Sequence, residues 1–140
     1  MPEESTTPDL VELVRKATEA AKRRDFDAVM SQYAPDAVWD LSELGLDTFE
    51  GRAAIRDHFE DWFAPYEQWD SKPEEARDLG NGVVFTVTYE QARMTGGSGV
   101  IPRRVAFVFE FVDGLIVRAT PYTDIDQARA AAERLAQERG

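Results

Sequence analysis

The chain has 140 residues, with one histidine, His58, and no cysteine. Thiol nucleophiles, disulfides and thiolate metal sites are thereby excluded, as is any site that needs several imidazoles. What remains for chemistry is the carboxylate and one imidazole, the groups of general acid–base catalysis. His58 is the side chain whose unperturbed pKa lies near neutrality. It follows Ile55 by three residues, beside a helical stripe of Ile55, Phe59 and Trp62. A histidine at such a margin either faces a ligand or sits half-exposed, and Asp57, Glu60 and Asp61 favour its charged form on the surface. Gly96-Gly97-Ser98-Gly99 lacks a following lysine and a strand-to-helix setting, so it reads as a hairpin loop and not a phosphate loop. Arg103-Arg104 fits an anion site or, more usually, a solvent or dimer face. Tyr33, Trp62, Tyr89 and Tyr122 have the spacing of core or interface aromatics.

The elements that must position these residues belong to one domain spanning residues 1–140. There are 27 acidic against 16 basic residues, a net charge of −11. Such a field repels phosphate backbones and anionic membranes, so neither nucleic acid nor membrane is an expected partner. No apolar run approaches the ~20 residues of a membrane span, and Met1-Pro2-Glu3-Glu4 is unlike a signal peptide. A cytoplasmic protein is expected.

Along the chain, residues 1–7 are polar and expected to be disordered. Thr7-Pro8 supplies a cap and a first-turn proline for a helix over 8–23 with a stripe of Leu10, Leu13, Val14, Ala17, Ala20 and Ala21. Asp25 caps a helix over 26–33, which Ala34-Pro35-Asp36 breaks. A short strand covers 37–41, residues 42–49 are irregular, and Gly51 opens a third helix that Pro65 stops. The pattern then becomes period two. Strands are expected over 66–79 (interrupted near Pro73), 83–94, 100–112 and 115–123, joined by Gly80-Asn81-Gly82, the 95–99 loop and Asp113-Gly114. Val105, Phe107, Phe109 and Phe111 share one strand face. Asp124 or Asp126 caps a last helix over 125–138. Helices segregated from meandering strands give an α+β fold: a curved antiparallel β-sheet wrapped around the N-terminal helices as a cone, with an extra C-terminal helix.

This order and its local wording resemble the SnoaL-like branch of the nuclear transport factor 2-like superfamily. The likeness rests on Asp25-Phe26-Asp27-Ala28 through Tyr33-Ala34-Pro35-Asp36-Ala37-Val38-Trp39, on Gly51-Arg52-Ala53-Ala54-Ile55 with Phe59, on Asp113-Gly114-Leu115-Ile116-Val117 and on Tyr122-Thr123-Asp124. It covers residues 8 to 127. The superfamily includes polyketide cyclases, steroid isomerases, epoxide hydrolases, dehydratases and non-catalytic modules, so the fold leaves the chemistry open. The functional places of steroid isomerases fall on Ala17, Phe107 and Leu41, with Asp40 one residue away from the base position. Those of limonene-epoxide hydrolases fall on Glu90, Thr88 and Pro121, with Trp39 and Leu41 at the water-holding places. Neither catalytic set is complete.

The resemblance also implies which strand positions face a pocket: Trp39 and Leu41, then Val84, Thr86, Thr88 and Glu90, then Val105, Phe107, Phe109 and Phe111. An apolar, aromatic cavity with few polar groups suits a small hydrophobic molecule. An inward Glu90 would be desolvated and its pKa raised towards neutrality, whereas a parity error or a bulge would leave it a solvated edge residue. Asp40 and Asp124 stand at family-typical places, Asp124 also directly before a helix. The candidate acid–base residues are therefore Glu90, His58, Asp40 and Asp124. The candidate substrate contacts are Trp39, Leu41, Thr88, Phe107, Phe59 and Trp62. No metal or cofactor is expected. Two readings stay open, a cofactor-free acid–base enzyme of isomerase, cyclase or hydrolase type, and a non-catalytic ligand-binding or dimerisation module. A homodimer through the sheet is expected from Ala106, Val108 and Val112, an apolar set if exposed.

Overall fold

The computed structural model describes residues 9–97 and 99–140. The expectations for residues 1–7 and the Thr7-Pro8 cap lie outside them or are superseded, because the first helix, α1 (Leu10–Lys22), is capped by Asp9, whose Oδ1 accepts from Glu12 N at 3.2 Å. Asp25 caps α2 (Phe26–Met30) as expected, but α2 ends earlier than the sequence pattern suggests. Tyr33 already belongs to strand β1 (Tyr33–Asp40), so Ala34-Pro35-Asp36 marks an irregularity inside the strand and not a break before it. A 3-10 turn (Ser42–Leu44) and a short strand, β2 (Thr48–Glu50), occupy the stretch expected to be irregular. Helix α3 (Arg52–Phe63) follows, then β3 (Tyr66–Gly80), β4 (Val83–Met94), β5 (Ile101–Val112), β6 (Leu115–Tyr122) and α4 (Ile125–Arg139).

Two of the hairpins turn where an Asn-Gly or Asp-Gly pair demands it. Asn81 and Gly82 have φ of 58° and 81°, and Asp113 and Gly114 have 53° and 79°. Two successive positive φ values match the twist of the flanking strands, and Asn, Asp and Gly reach them at least cost.

The six strands lie in the order β2-β1-β6-β5-β4-β3 in a sheet that does not close. Every neighbouring pair is antiparallel except β1 and β6, which run parallel. The sheet is therefore mixed, not purely antiparallel. β1 and β6 are far apart in sequence, and such a long crossover is what a parallel pair needs.

Alternation divides β4 and β5 between two cores. On one face Val84 and Phe109 pack with α1, α2 and α3 around Ile55, Phe59, Phe63 and Tyr33. On the other, Val83, Phe85, Val87, Ala106 and Val108 pack against Ala128, Ala132 and Ala136 of α4. Those alanines recur every fourth residue, so one helical face presents only methyl groups and the helix can lie close to the sheet. Arg129 fixes it further with two bonds to Glu75, at 2.7 and 3.1 Å. This corrects the expected dimer surface: Ala106 is 0% and Val108 3% exposed beneath α4, and only Val112 of the three remains open. No helix among the described residues is long and apolar enough to cross a membrane.

Candidate functional site

Strands β4 and β5 place Glu90 opposite Arg103, and β3 places Ser71 opposite Glu90 from the other side. Directly opposed residues project to the same face. That face is the one covered by α1–α3, since Trp69, two residues before Ser71, packs with Phe63 at 5.0 Å and Trp62 at 6.4 Å between ring centroids.

Glu90 is 4% exposed. Its Oε1 accepts from Arg103 Nε at 3.1 Å, and Thr88 Oγ1 approaches Oε2 at 3.5 Å. Burial pushes its carboxyl above the ordinary value, and this outweighs the Arg103 charge and the donors around it, which pull the other way. The buried indole Nε1 of Trp69 is among those donors. It nevertheless closes no hydrogen bond of normal geometry, so we regard it as turned towards the carboxylate without being committed to it. Arg103 in turn lies over the ring of Trp62, at 5.2 Å from the centroid.

Further along the same face, Thr86 stands opposite Phe107. Trp39 packs edge-on against Phe59 at 4.8 Å and lies 6.0 Å from Phe107. Trp39 Nε1 and Thr86 Oγ1 are buried without a hydrogen-bond partner among the described residues. A buried donor left unpaired is costly, and a ligand acceptor would relieve it. The expected lining residues Trp39, Thr88, Phe107, Phe59 and Trp62 therefore do share one face with Glu90. Leu41 does not join them: it lies past the end of β1 at the start of the 3-10 turn, buried outside both cores.

The other carboxylates go elsewhere. Asp40 alternates with Trp39 and so faces α4, where it lines a cleft of about 250 Å³ with Glu43, Glu110, Arg118, Tyr122 and Arg134. Burial alone would push its carboxyl up, but Ser42 Oγ (2.6 Å), Ser42 N (2.9 Å) and Arg118 Nη2 (2.7 Å) donate to it and bring it down to about 2. A carboxylate so stabilised is a weak base. Asp124 is the N-cap of α4, accepting from Gln127 N at 3.0 Å. Neither meets Glu90. His58 stacks on Phe49 at 4.3 Å, and burial lowers its pKa with Asp61 acting in the opposite direction. Its ring neighbours are Phe49 and Phe59, not Glu90 or Asp40.

Sequence reasoning missed two members of this cluster. Arg103 was read with Arg104 as an anion site or, more usually, a solvent or dimer face, without Glu90 as its partner, and Trp69 was not singled out. The register of the β4–β5 hairpin was the available signal, since pairing Ala92 with Ile101 across the 95–99 loop puts Glu90 opposite Arg103. Neither of the two clefts described is the expected apolar pocket at Glu90. One is the Asp40 cleft and the other lies between α1 and α2, lined by Arg15, Lys16, Arg23 and Gln32 among others.

Solved structures share this architecture at low sequence identity. TerC co-crystallised with polyporic acid superposes with a TM-score of 0.72 at 18% identity, covering 89% of this chain and 98% of its own. A protein of ketosteroid isomerase-like fold from Catenulispora acidiphila, in complex with trimethylamine, gives 0.72 at 16% identity, covering 91% and 94%. An LEH-like epoxide hydrolase of M. tuberculosis gives 0.69 at 17% identity, covering 94% and 96%. No curated protein matches the chain in sequence. The family model of the SnoaL-like domain matches residues 14–119, from α1 through β6, and the chain belongs to that family.

Proposed function

We propose that the chain is a cofactor-free acid–base enzyme acting on a small hydrophobic molecule, with Glu90 as the group that takes and returns the proton. The observation that carries this reading is a buried carboxylate with raised pKa on the same sheet face as Trp39, Trp62, Trp69 and Phe107. Desolvation makes Glu90 a stronger base than an exposed carboxylate. Its carboxylate removes a proton from carbon next to a carbonyl, the electron pair moves onto the carbonyl oxygen, and the proton returns at the same or another carbon. The unpaired Trp39 and Trp69 N–H groups suit the oxygen on which charge develops. Relatives of this fold named as cyclases, isomerases and hydrolases fit such chemistry.

A binding module is the second reading. It is favoured by the separation of Glu90 from Asp40 and Asp124, which leaves no second carboxylate of the expected set beside it. Hydrogen exchange separates the two. In heavy water the protein should exchange the α-protons of hydrophobic ketones such as α-tetralone, followed by proton NMR, and Glu90→Gln should lose this while keeping the fold. Carboxyl-carbon titration should place Glu90 above the unperturbed ~4.3. Exchange that survives Glu90→Gln, or a titration at or below the unperturbed value, rejects the enzyme reading.

A further inference from the structure

The chain's arginines differ in how they meet carboxylates. Arg104 holds Glu74 through Nε and Nη2, at 2.6 and 3.1 Å, and Arg129 holds Glu75 through both terminal nitrogens. Two parallel N–H···O bonds are the arrangement that the planar fork favours. Arg103 departs from it, as do Arg77, Arg93 and Arg118, each of which meets its carboxylate through one nitrogen; Arg103 differs from these in standing both over a buried carboxylate and against an indole ring. Its Nε alone donates to Glu90, and among the described residues its two terminal nitrogens make no hydrogen bond. Its side chain is 48% exposed while the side chain of Glu90 beneath it is 5% exposed, so the guanidinium stands at the solvent side of the carboxylate. Trp62 supports the guanidinium at 5.2 Å, which limits its freedom without using its donors. Trp62 beside it, and Trp69, Thr88 and Phe107 on the same face, each keep part of their surface in solvent.

We infer that the terminal nitrogens of Arg103 bind the carboxylate of an incoming ligand, so that the molecule taken at this face is a hydrophobic carboxylic acid with its apolar body against Trp62, Trp69 and Phe107. This rests on the proposed site at Glu90 but adds a substrate class to it. The fork geometry fits a carboxylate and a phosphate alike. The net charge of −11 decides between them, since it opposes a doubly charged group more strongly than a singly charged one. Glu90 does not compete for the same edge, because it occupies Nε only.

The test compares 4-phenylbutyrate with its neutral amide at physiological ionic strength, by calorimetry and by the indole N–H resonances of the protein. The chain has three tryptophans, and all of them, Trp39, Trp62 and Trp69, belong to this face. The acid should bind about tenfold or more tightly than the amide, as one charge-assisted contact provides. Arg103→Gln should abolish that preference while leaving the amide's affinity and indole shifts in place, which also shows that the site is intact. Arg103→Lys, which keeps the charge without the fork, should retain a smaller preference. Equal binding of acid and amide by the wild-type chain overturns the inference and leaves the Glu90 site standing, as does a preference that persists in Arg103→Gln. Failure of both ligands to move any indole resonance overturns the inference and the proposed Glu90 site together.

Discussion

Replacing Asp40 by asparagine should destabilise the protein in a manner that fades with acid, while replacing Glu90 by glutamine does the reverse. Asp40 falls from the ordinary 3.8 to about 2, with burial opposed by Ser42 and Arg118. A group whose folded pKa is depressed adds stability that is complete above its unfolded value and is lost as pH falls through the folded one. The window therefore runs from about pH 4 down to about pH 2. A depression of that size corresponds to roughly 2.5 kcal/mol at most. Two features reduce it. The Arg118 side chain is 42% exposed, so water screens its charge. Asparagine also keeps an oxygen that can accept from Ser42 N and Oγ. The expected loss for Asp40→Asn near neutrality is thus about 1–2 kcal/mol. Urea unfolding followed by tryptophan fluorescence, at several pH values across that window, measures it. The gap from wild type should narrow steadily as acid protonates Asp40. Glu90 carries the opposite sign: its raised folded pKa gives stability present below the unfolded value and lost as pH rises through the folded one, so Glu90→Gln should gain on wild type with rising pH. A gap for Asp40→Asn that stays constant from neutrality to the acid end would refute the ionic account. It would assign the residue's role to shape alone.

Two further outcomes test the fold that positions the site. Gly82→Ala should cost about 2–3 kcal/mol in chemical denaturation, because φ is +81° and the added Cβ would sit 2.5 Å from Phe111 O; a neutral effect would mean that the β4 turn relaxes freely. Ala132→Leu should cost about 1–3 kcal/mol by overpacking the α4–sheet contact, where Ala132 is 0% exposed. Unchanged stability in that variant would show that α4 does not lie tightly on the sheet.

Much of the sheet was legible because alternation is a local property. Val84, Thr86, Thr88 and Glu90 share one face as the two-residue period requires, but the period does not say which face is the interior: Glu90 was left between an inward site and a solvated edge, and the resemblance alone put it inward. The α2–β1 boundary was less legible for an equally physical reason. Phe26, Val29, Met30 and Tyr33 are spaced as one helical stripe, yet Tyr33 goes into the sheet, with its carbonyl accepting from Arg52 Nε and Nη2 at 2.9 and 2.6 Å. A bond across nineteen residues leaves no trace in a local period. Helix α4 was read as a helix, but its partner was not. Alanine favours helix on its own account, so a row of three alanines does not announce a close approach to Ala106 and Val108.

The site itself divides along the same line. The lining followed from periodicity and resemblance, but its chemistry depends on pairings across strands. Asp40 and Glu90 are both carboxylates near the ends of apolar strands, and both are almost fully buried at 8% and 4% exposure. Composition and burial alone would give them the same character. What separates them is how well each is met by donors: Asp40 has a hydroxyl, a backbone N–H and a guanidinium committed to it, whereas Glu90 has one guanidinium nitrogen, a distant hydroxyl and an indole N–H that closes no bond of normal geometry. Desolvation acts on both, and the donors exceed it only at Asp40. The carboxylate with the poorer set of partners is the one left with a raised pKa, and it is also the one on the sheet face that carries Trp39 and Phe107. Under-satisfaction on the aromatic face is thus the property that sets the proposed acid–base carboxylate apart from the structural one, and it resides in the register of three strands.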